Sequence, residues 1–331
     1  MNISFARLFH SGHRSCLAAC LALIPCIASA ATPVAWPSKP IRLFVGYPAG
    51  GSVDIAARVL GNALSARVGQ PVIVENRPGA DGTIGVGTVL RSPPDGYSLA
   101  VSLKGAMTVA PATSKLPFDP LTELVPLAGI AQAAEIYVTR PRTGMRTLKD
   151  VSDAYRRNGN KLSIGYIGAF PRLLGVLLGQ EAGIDLLGVP YKGLPAAMQD
   201  LLGDQTDMMV GDAIGVLVEQ IKSGSLIPLA VTSVTRFPGL PQVPTSKEAG
   251  FPALTGTQWY ALYGSHNLPA DLVSSIGAIC VDVMKQSAVH KELAKAGLEP
   301  FTATSVELTA LMKTETAFWK QVAAKANIQP E

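Results

Sequence analysis

The stretch Ile41-Arg-Leu-Phe-Val-Gly-Tyr-Pro-Ala-Gly-Gly-Ser52-Val-Asp-Ile-Ala-Ala-Arg-Val-Leu60 holds the building unit of the whole chain. Ile41–Val45 is a short, mostly apolar strand, and Gly46 to Gly51 end it. Ser52 stands where a helix N-cap is wanted, and Asp54 falls in the first turn, where the helix dipole favours negative charge. Ile55, Val59, Ala63 and Val68 then recur at roughly helical spacing until Gly69 stops the helix. Strand, glycine-rich turn and helix follow one another within 29 residues.

The same unit repeats outward. Val72–Val74 is the next strand, Arg77–Gly82 a turn, Thr83–Leu90 a short helix, and Pro93–Gly96 turns into strand Ser98–Leu103. This is βαβαβ, which implies a parallel sheet with helices on both faces. A second series starts near Ile136–Thr139. It continues through helix Leu148–Arg157, strand Leu162–Tyr166, helix Leu173–Ala182, strand Leu187–Val189, helix Ala196–Leu202, strand Asp207–Val210, helix Val216–Ser223 and strand Pro228–Thr232. Thr257–Tyr263 reads as another strand, and two long helices, near Leu272–Ala296 and Ser305–Ala326, finish the chain. Two α/β units with helices left over predict a discontinuous, two-lobed layout. Lobe one takes residues 31–134 together with 258–331, and lobe two takes 135–257. Such lobes close on a ligand about a hinge.

Residues 1–30 read as an export signal: Arg7 and Arg14, a short apolar run Cys16–Ile27, then Ala28-Ser29-Ala30 for cleavage after Ala30. A bilayer span needs about 20 apolar residues, more than this run offers. A lipoprotein signal at Cys20 is disfavoured because the apolar segment follows that cysteine. Cleavage removes three of the four cysteines and leaves Cys280 in an apolar run, so no disulfide within the chain is expected. Lysines and arginines are scattered, without the basic run that nucleic-acid binding leaves.

The enzymatic patterns are missing. After residue 30 the histidines are His266 and His290, too few for a histidine metal site. No Gly-x-Ser-x-Gly elbow occurs. Ser52 stands where a phosphate loop requires lysine, and Leu90 breaks the dinucleotide glycine spacing. What Ala49-Gly50-Gly51-Ser52 does offer is backbone N–H groups at a helix start beside a hydroxyl, an anion site suited to a carboxylate. The alternative is a tight strand-to-helix turn with glycines for steric reasons.

Further blocks carry a resemblance. Trp36–Arg42, Pro48–Asp54, Glu75–Ala80, Pro94–Tyr97, Val189–Gly193, Leu229–Ser233, Val243–Thr245 and Glu248–Pro252, in that order, resemble the tripartite tricarboxylate transporter receptors, the Bug family. The likeness runs from about residue 36 to 325. It implies an α/β, type II periplasmic-binding-protein fold, with two doubly wound lobes joined by crossing strands around a ligand cleft. It also implies a periplasmic, monomeric solute receptor without cofactor, metal or catalysis. Such a receptor takes a small organic carboxylate and passes it to membrane permease subunits. A receptor feeding a sensory system and an α/β enzyme are the alternatives.

In the family one carboxylate is held by the first strand–helix loop, here Tyr47, Pro48, Ala49, Gly50, Gly51, Ser52 and Asp54, and by a loop of lobe two. That second loop departs from the family: Gly165-Tyr-Ile-Gly-Ala-Phe-Pro-Arg172 lacks the hydroxyls of serine or threonine and is more apolar. Gly168, Ala169, Phe170 and Arg172 are the expected contacts, with Arg172 supplying a charge and Phe170 and Ile167 an apolar wall. Lys104 follows strand Ser98–Leu103 as a further candidate. Asp212 is expected to cap the next helix or accept a ligand amine, and Trp259 to pack between lobes or stack on ligand.

Overall fold

The structure is a computed structural model that describes residues 36–159 and 161–328. The expected export signal and its cleavage after Ala30 lie outside them.

β1 (Ile41–Val45) leads through α1 (Ser52–Val68) to β2 (Val72–Asn76), and α2 (Thr83–Leu90) leads on to β3 (Ser98–Leu103). β1 lies between β2 and β3 and is parallel to both. A π-helical turn, Gly105–Val109, and α3 (Ala110–Thr113) precede β4 (Leu124–Thr139). The second series is α4 (Asp150–Arg157), β5 (Ser163–Tyr166), α5 (Ala169–Ala182), β6 (Leu187–Pro190), α6 (Leu194–Leu202), β7 (Met208–Asp212), α7 (Gly215–Lys222) and β8 (Ile227–Val231). β9 (Thr257–Ser265), α8 (Ala270–Met284), α9 (Ser287–Lys295), β10 (Glu299–Pro300) and α10 (Ser305–Lys325) complete the described chain.

The strands run in the order β2-β1-β3-β9-β4-β7-β5-β6, with β8 and β10 also paired to β4. β5 is parallel to β6 and β7, as the sequence pattern predicts. The crossing strands differ: β9 runs antiparallel to β3 and β4, and β4 antiparallel to β7 and β8. β4 is a single strand of 16 residues, far longer than the segment read from the sequence. Its residues Leu124–Ala134 pair with β9, and Glu135–Thr139 pair with β7 and β8. β4 therefore passes from the sheet of one lobe into that of the other. Leu127, Ile130 and Ile136 on it are wholly buried, each contributing roughly 1.5–3 kcal/mol of apolar burial. α8 packs so closely here that a Cβ on Gly277 would stand 2.9 Å from the Leu127 carbonyl oxygen.

Two helix boundaries depart from the sequence reading. α5 begins at Ala169, not Leu173, because Gly168 takes a left-handed φ of 82° and turns the chain straight into the helix. Pro171 is tolerated in that first turn, where no intrahelical N–H is required. The segment Leu272–Ala296 is two helices bent by 72°. The break lets Val289 and Leu293 bury beside α1 and β10 instead of following α8 along β4. α10 starts in a capping box between Thr304 and Glu307. Its first half buries Leu308 and Met312 in the core of lobe one, while Trp319 and Ala323 join the core around Phe170 and Tyr137.

Candidate functional site

The loops after β1, β5, β6 and β7 converge on a cleft of about 50 Å³ between the lobes. They leave the carboxyl ends of their strands, the end at which open α/β sheets bind ligands. On lobe one, α1 is capped by the extended backbone of Gly51 and by no side chain. Its first-turn N–H groups thus keep their donor capacity toward the cleft, which Pro48, Ala49, Gly51 and Ser52 line. Ser52 is the first helical residue, not the cap the sequence suggested. Its hydroxyl, freed from capping, donates to the Asp212 carboxylate at the end of β7.

Asp212 does not cap α7 either; Ile214 is the N-cap residue there, with no side-chain bond. Instead Asp212 stands directly opposite Glu135 in the antiparallel β4–β7 register, so the two carboxyls share one face of the sheet. Glu135 is wholly buried, and both residues line the cleft. Burial and the neighbouring Asp212 charge push the Glu135 carboxyl well above its usual range. Burial also raises Asp212, with the Ser52 hydroxyl opposing it. Two such groups cannot both ionise cheaply.

Four expected contacts have other duties. Gly50 gives its N–H to Asp54 Oδ2 at 2.9 Å, and Asn76 and Arg58 also bind that buried carboxylate at 2.9 Å. Burial alone would raise Asp54, but these hydrogen bonds hold it below its usual range. Gly50 and Asp54 therefore fix the loop from behind and do not line the cleft. Phe170 is wholly buried and meets Trp319 edge to face at 5.5 Å, so it forms no ligand wall. Helical periodicity explains this: α5 starts early enough to turn Phe170 inward with Leu173 and Leu174. Trp259 donates its indole N–H to Glu315 and stacks on Phe301, away from the cleft.

Lys104 is the fifth correction. The π-helical turn carries it inward, and its ammonium sits 3.4 Å from the centre of the Phe170 ring. Burial pushes it down to about 8, against the opposing charges of Glu315 and Glu135. It is buried and does not line the cleft.

Gly168, Ala169 and Arg172 line a neighbouring space, joined to the cleft by Tyr47, Pro48, Ile167 and Lys192. Asp81 from lobe one occupies the start of α5 there. Its carboxylate accepts the Ala169 N–H, and the Tyr47 hydroxyl reaches it at 3.3 Å. Burial raises Asp81, while those bonds and the Arg172 charge pull it down in part. The anion position expected of lobe two is thus filled by a carboxylate of this chain.

Glu135, Asp81, Lys192 and Gln258 are site residues that sequence reasoning missed. Glu135 had a signal: it is the one charge in the strand Ala133-Ala-Glu-Ile-Tyr-Val138. Among the described residues no group of three or more histidine, cysteine or carboxylate side chains could hold a metal.

The sequence profile of the tripartite tricarboxylate transporter family receptor matches residues 56–328. Protein BugT of Bordetella pertussis is 30% identical over 316 residues, covering 92% of this chain and 96% of BugT. Among solved structures, a periplasmic transporter superposes with a TM-score of 0.83 at 33% identity, over 89% of this chain and 99% of that one. MatC from Rhodopseudomonas palustris with bound malate gives 0.79 at 26% identity, over 86% and 99%. Rpa4515 of R. palustris with adipate gives 0.81 at 25%, over 89% and 100%.

Proposed function

The chain belongs to the tripartite tricarboxylate transporter family of receptors, and from that premise we propose that it captures a small organic carboxylate between its lobes and delivers it to membrane permease subunits. The observation that carries the reading is the uncapped start of α1, open to the interlobe cleft beside the Ser52 hydroxyl. Oriented N–H groups and the positive end of a helix dipole stabilise an anion without a charged side chain. Lys192 and the start of α6, likewise without a side-chain cap, approach from lobe two. A ligand held by both lobes favours the closed arrangement by its differential affinity for it.

Solved relatives hold malate and adipate, which supports the ligand class. Function in the periplasm agrees with the export signal expected at residues 1–30. Calorimetric titration of the purified protein with short mono- and dicarboxylates tests the reading. Saturable one-to-one binding, with a smaller radius of gyration by X-ray scattering, supports capture by closure. Failure of every carboxylate to bind, with amines or sugars binding instead, refutes it. Uptake of the identified ligand that stops when the permease subunits are deleted tests delivery.

A further inference from the structure

The floor of the cleft is not suited to a second carboxylate. Glu135 is wholly buried and hydrogen-bonds with the Asp212 carboxyl, and among the described residues no group outside the pair gives a hydrogen bond to either of its oxygens. The two carboxyls sit side by side, because Glu135 and Asp212 are register partners on adjacent strands. From outside the pair, the Ser52 and Tyr260 hydroxyls bond to Asp212. Two buried carboxyls with so few outside donors are costly, and an N–H donor relieves that cost. A ligand carboxylate at the same point would instead meet like charge. Of the cations near the site, Lys104 lies over the Phe170 ring and does not line the cleft, though its charge reaches Glu135, while Lys192 lines the cleft wall and Arg172 the adjoining space. The cleft is thus acidic at its strand floor and basic toward its outer wall.

We infer that the ligand of this receptor carries an ammonium or amide N–H group that seats on Glu135 and Asp212, with its carboxylate toward α1, α6 and Lys192. The inference rests on the carboxylate-receptor reading above and narrows it: amino- or carbamoyl-carboxylates fit, and plain dicarboxylates do not. Glu135 and Asp212 are the specificity-determining pair.

The test is calorimetric titration of the purified full chain with matched probes: α,ω-dicarboxylates, the ω-amino acids and monoamides of equal length, and the corresponding diamines. Glu135→Gln, Glu135→Leu and Asp212→Asn are titrated in parallel. The amino or amide member of each binding series should bind at least tenfold more tightly than the dicarboxylate. Glu135→Leu should remove most of that preference while still binding dicarboxylates. Tighter binding of dicarboxylates by the native protein, or an unchanged preference in Glu135→Leu, overturns the inference. Binding of diamines as tightly as amino acids would sink the carboxylate reading and leave the acidic pair as the recognition element. Circular dichroism melting of each variant separates misfolding from loss of recognition, and Glu135→Gln, which preserves shape, serves if Glu135→Leu does not fold.

Discussion

The Ser52 hydroxyl donates to the Asp212 carboxylate across 160 residues of sequence, tying the start of α1 in lobe one to the end of β7 in lobe two. A hydrogen bond to a charged group contributes roughly 1.5–3 kcal/mol. This one crosses the cleft, so it biases the lobes toward each other. Ser52→Ala should enlarge the ligand-free radius of gyration and weaken ligand binding by about tenfold, which corresponds to about 1.4 kcal/mol. Scattering and calorimetry on the variant check both effects. Unchanged values would make the contact incidental to closure.

Asp81 yields the opposite expectation. Its carboxylate sits on the first N–H of α5, where an incoming anion would otherwise be stabilised. Asp81→Asn keeps the side-chain shape and removes the charge. A helix terminus favours an anion by roughly 0.3–1 kcal/mol, so carboxylate affinity should rise up to about fivefold. A loss of affinity would mean that Asp81 stabilises the ligand-bound form.

Lys104 makes stability depend on pH. Its ammonium is buried, and its folded pKa of about 8 lies below the ordinary 10.5. Between those values the unfolded chain binds the proton more tightly, so the cost of burying the charge is complete below about pH 8. It is relieved as pH rises toward 10.5, and it amounts to about 3 kcal/mol. The stability advantage of Lys104→Met over wild type should therefore be largest near pH 7 and shrink by pH 10. Urea melts at several pH values measure it; a constant difference would contradict the account.

Phe170 belongs to the core, not to the ligand wall. Phe170→Ala should destabilise the protein by roughly 3–5 kcal/mol by leaving a cavity beside Trp319 and Lys104. The ranking of ligands by the folded variant should stay as in wild type. A loss of unfolding free energy below about 1 kcal/mol in urea melts, or a changed ranking, would return Phe170 to the cleft.

The contrast between Ser52 and Glu135 shows what was legible in the sequence. The strand Ile41–Val45, its glycine turn and the helix after it are local, so composition and spacing place Ser52 at a helix start without any tertiary information. Glu135 sits where it does because β4 crosses between lobes and pairs antiparallel with a strand 77 positions on, a register no local pattern encodes. Lys104 was misplaced for a similar reason: a π-helical turn, set by packing against α10 and α5, turns it inward. The chain looks polar there and is buried. Phe170 was misread because the helix begins four residues before the expected start, which puts it inside the helix on the buried face.

The most direct test is the identity of the natural ligand. Protein purified from its native compartment without refolding, then denatured, should release a small organic carboxylate at near one-to-one stoichiometry by mass spectrometry. The same compound, added back to stripped protein, should bind and be recovered chemically unchanged after long incubation. Release of a compound lacking any carboxylate, or conversion of the added compound into a product, would contradict the central claim.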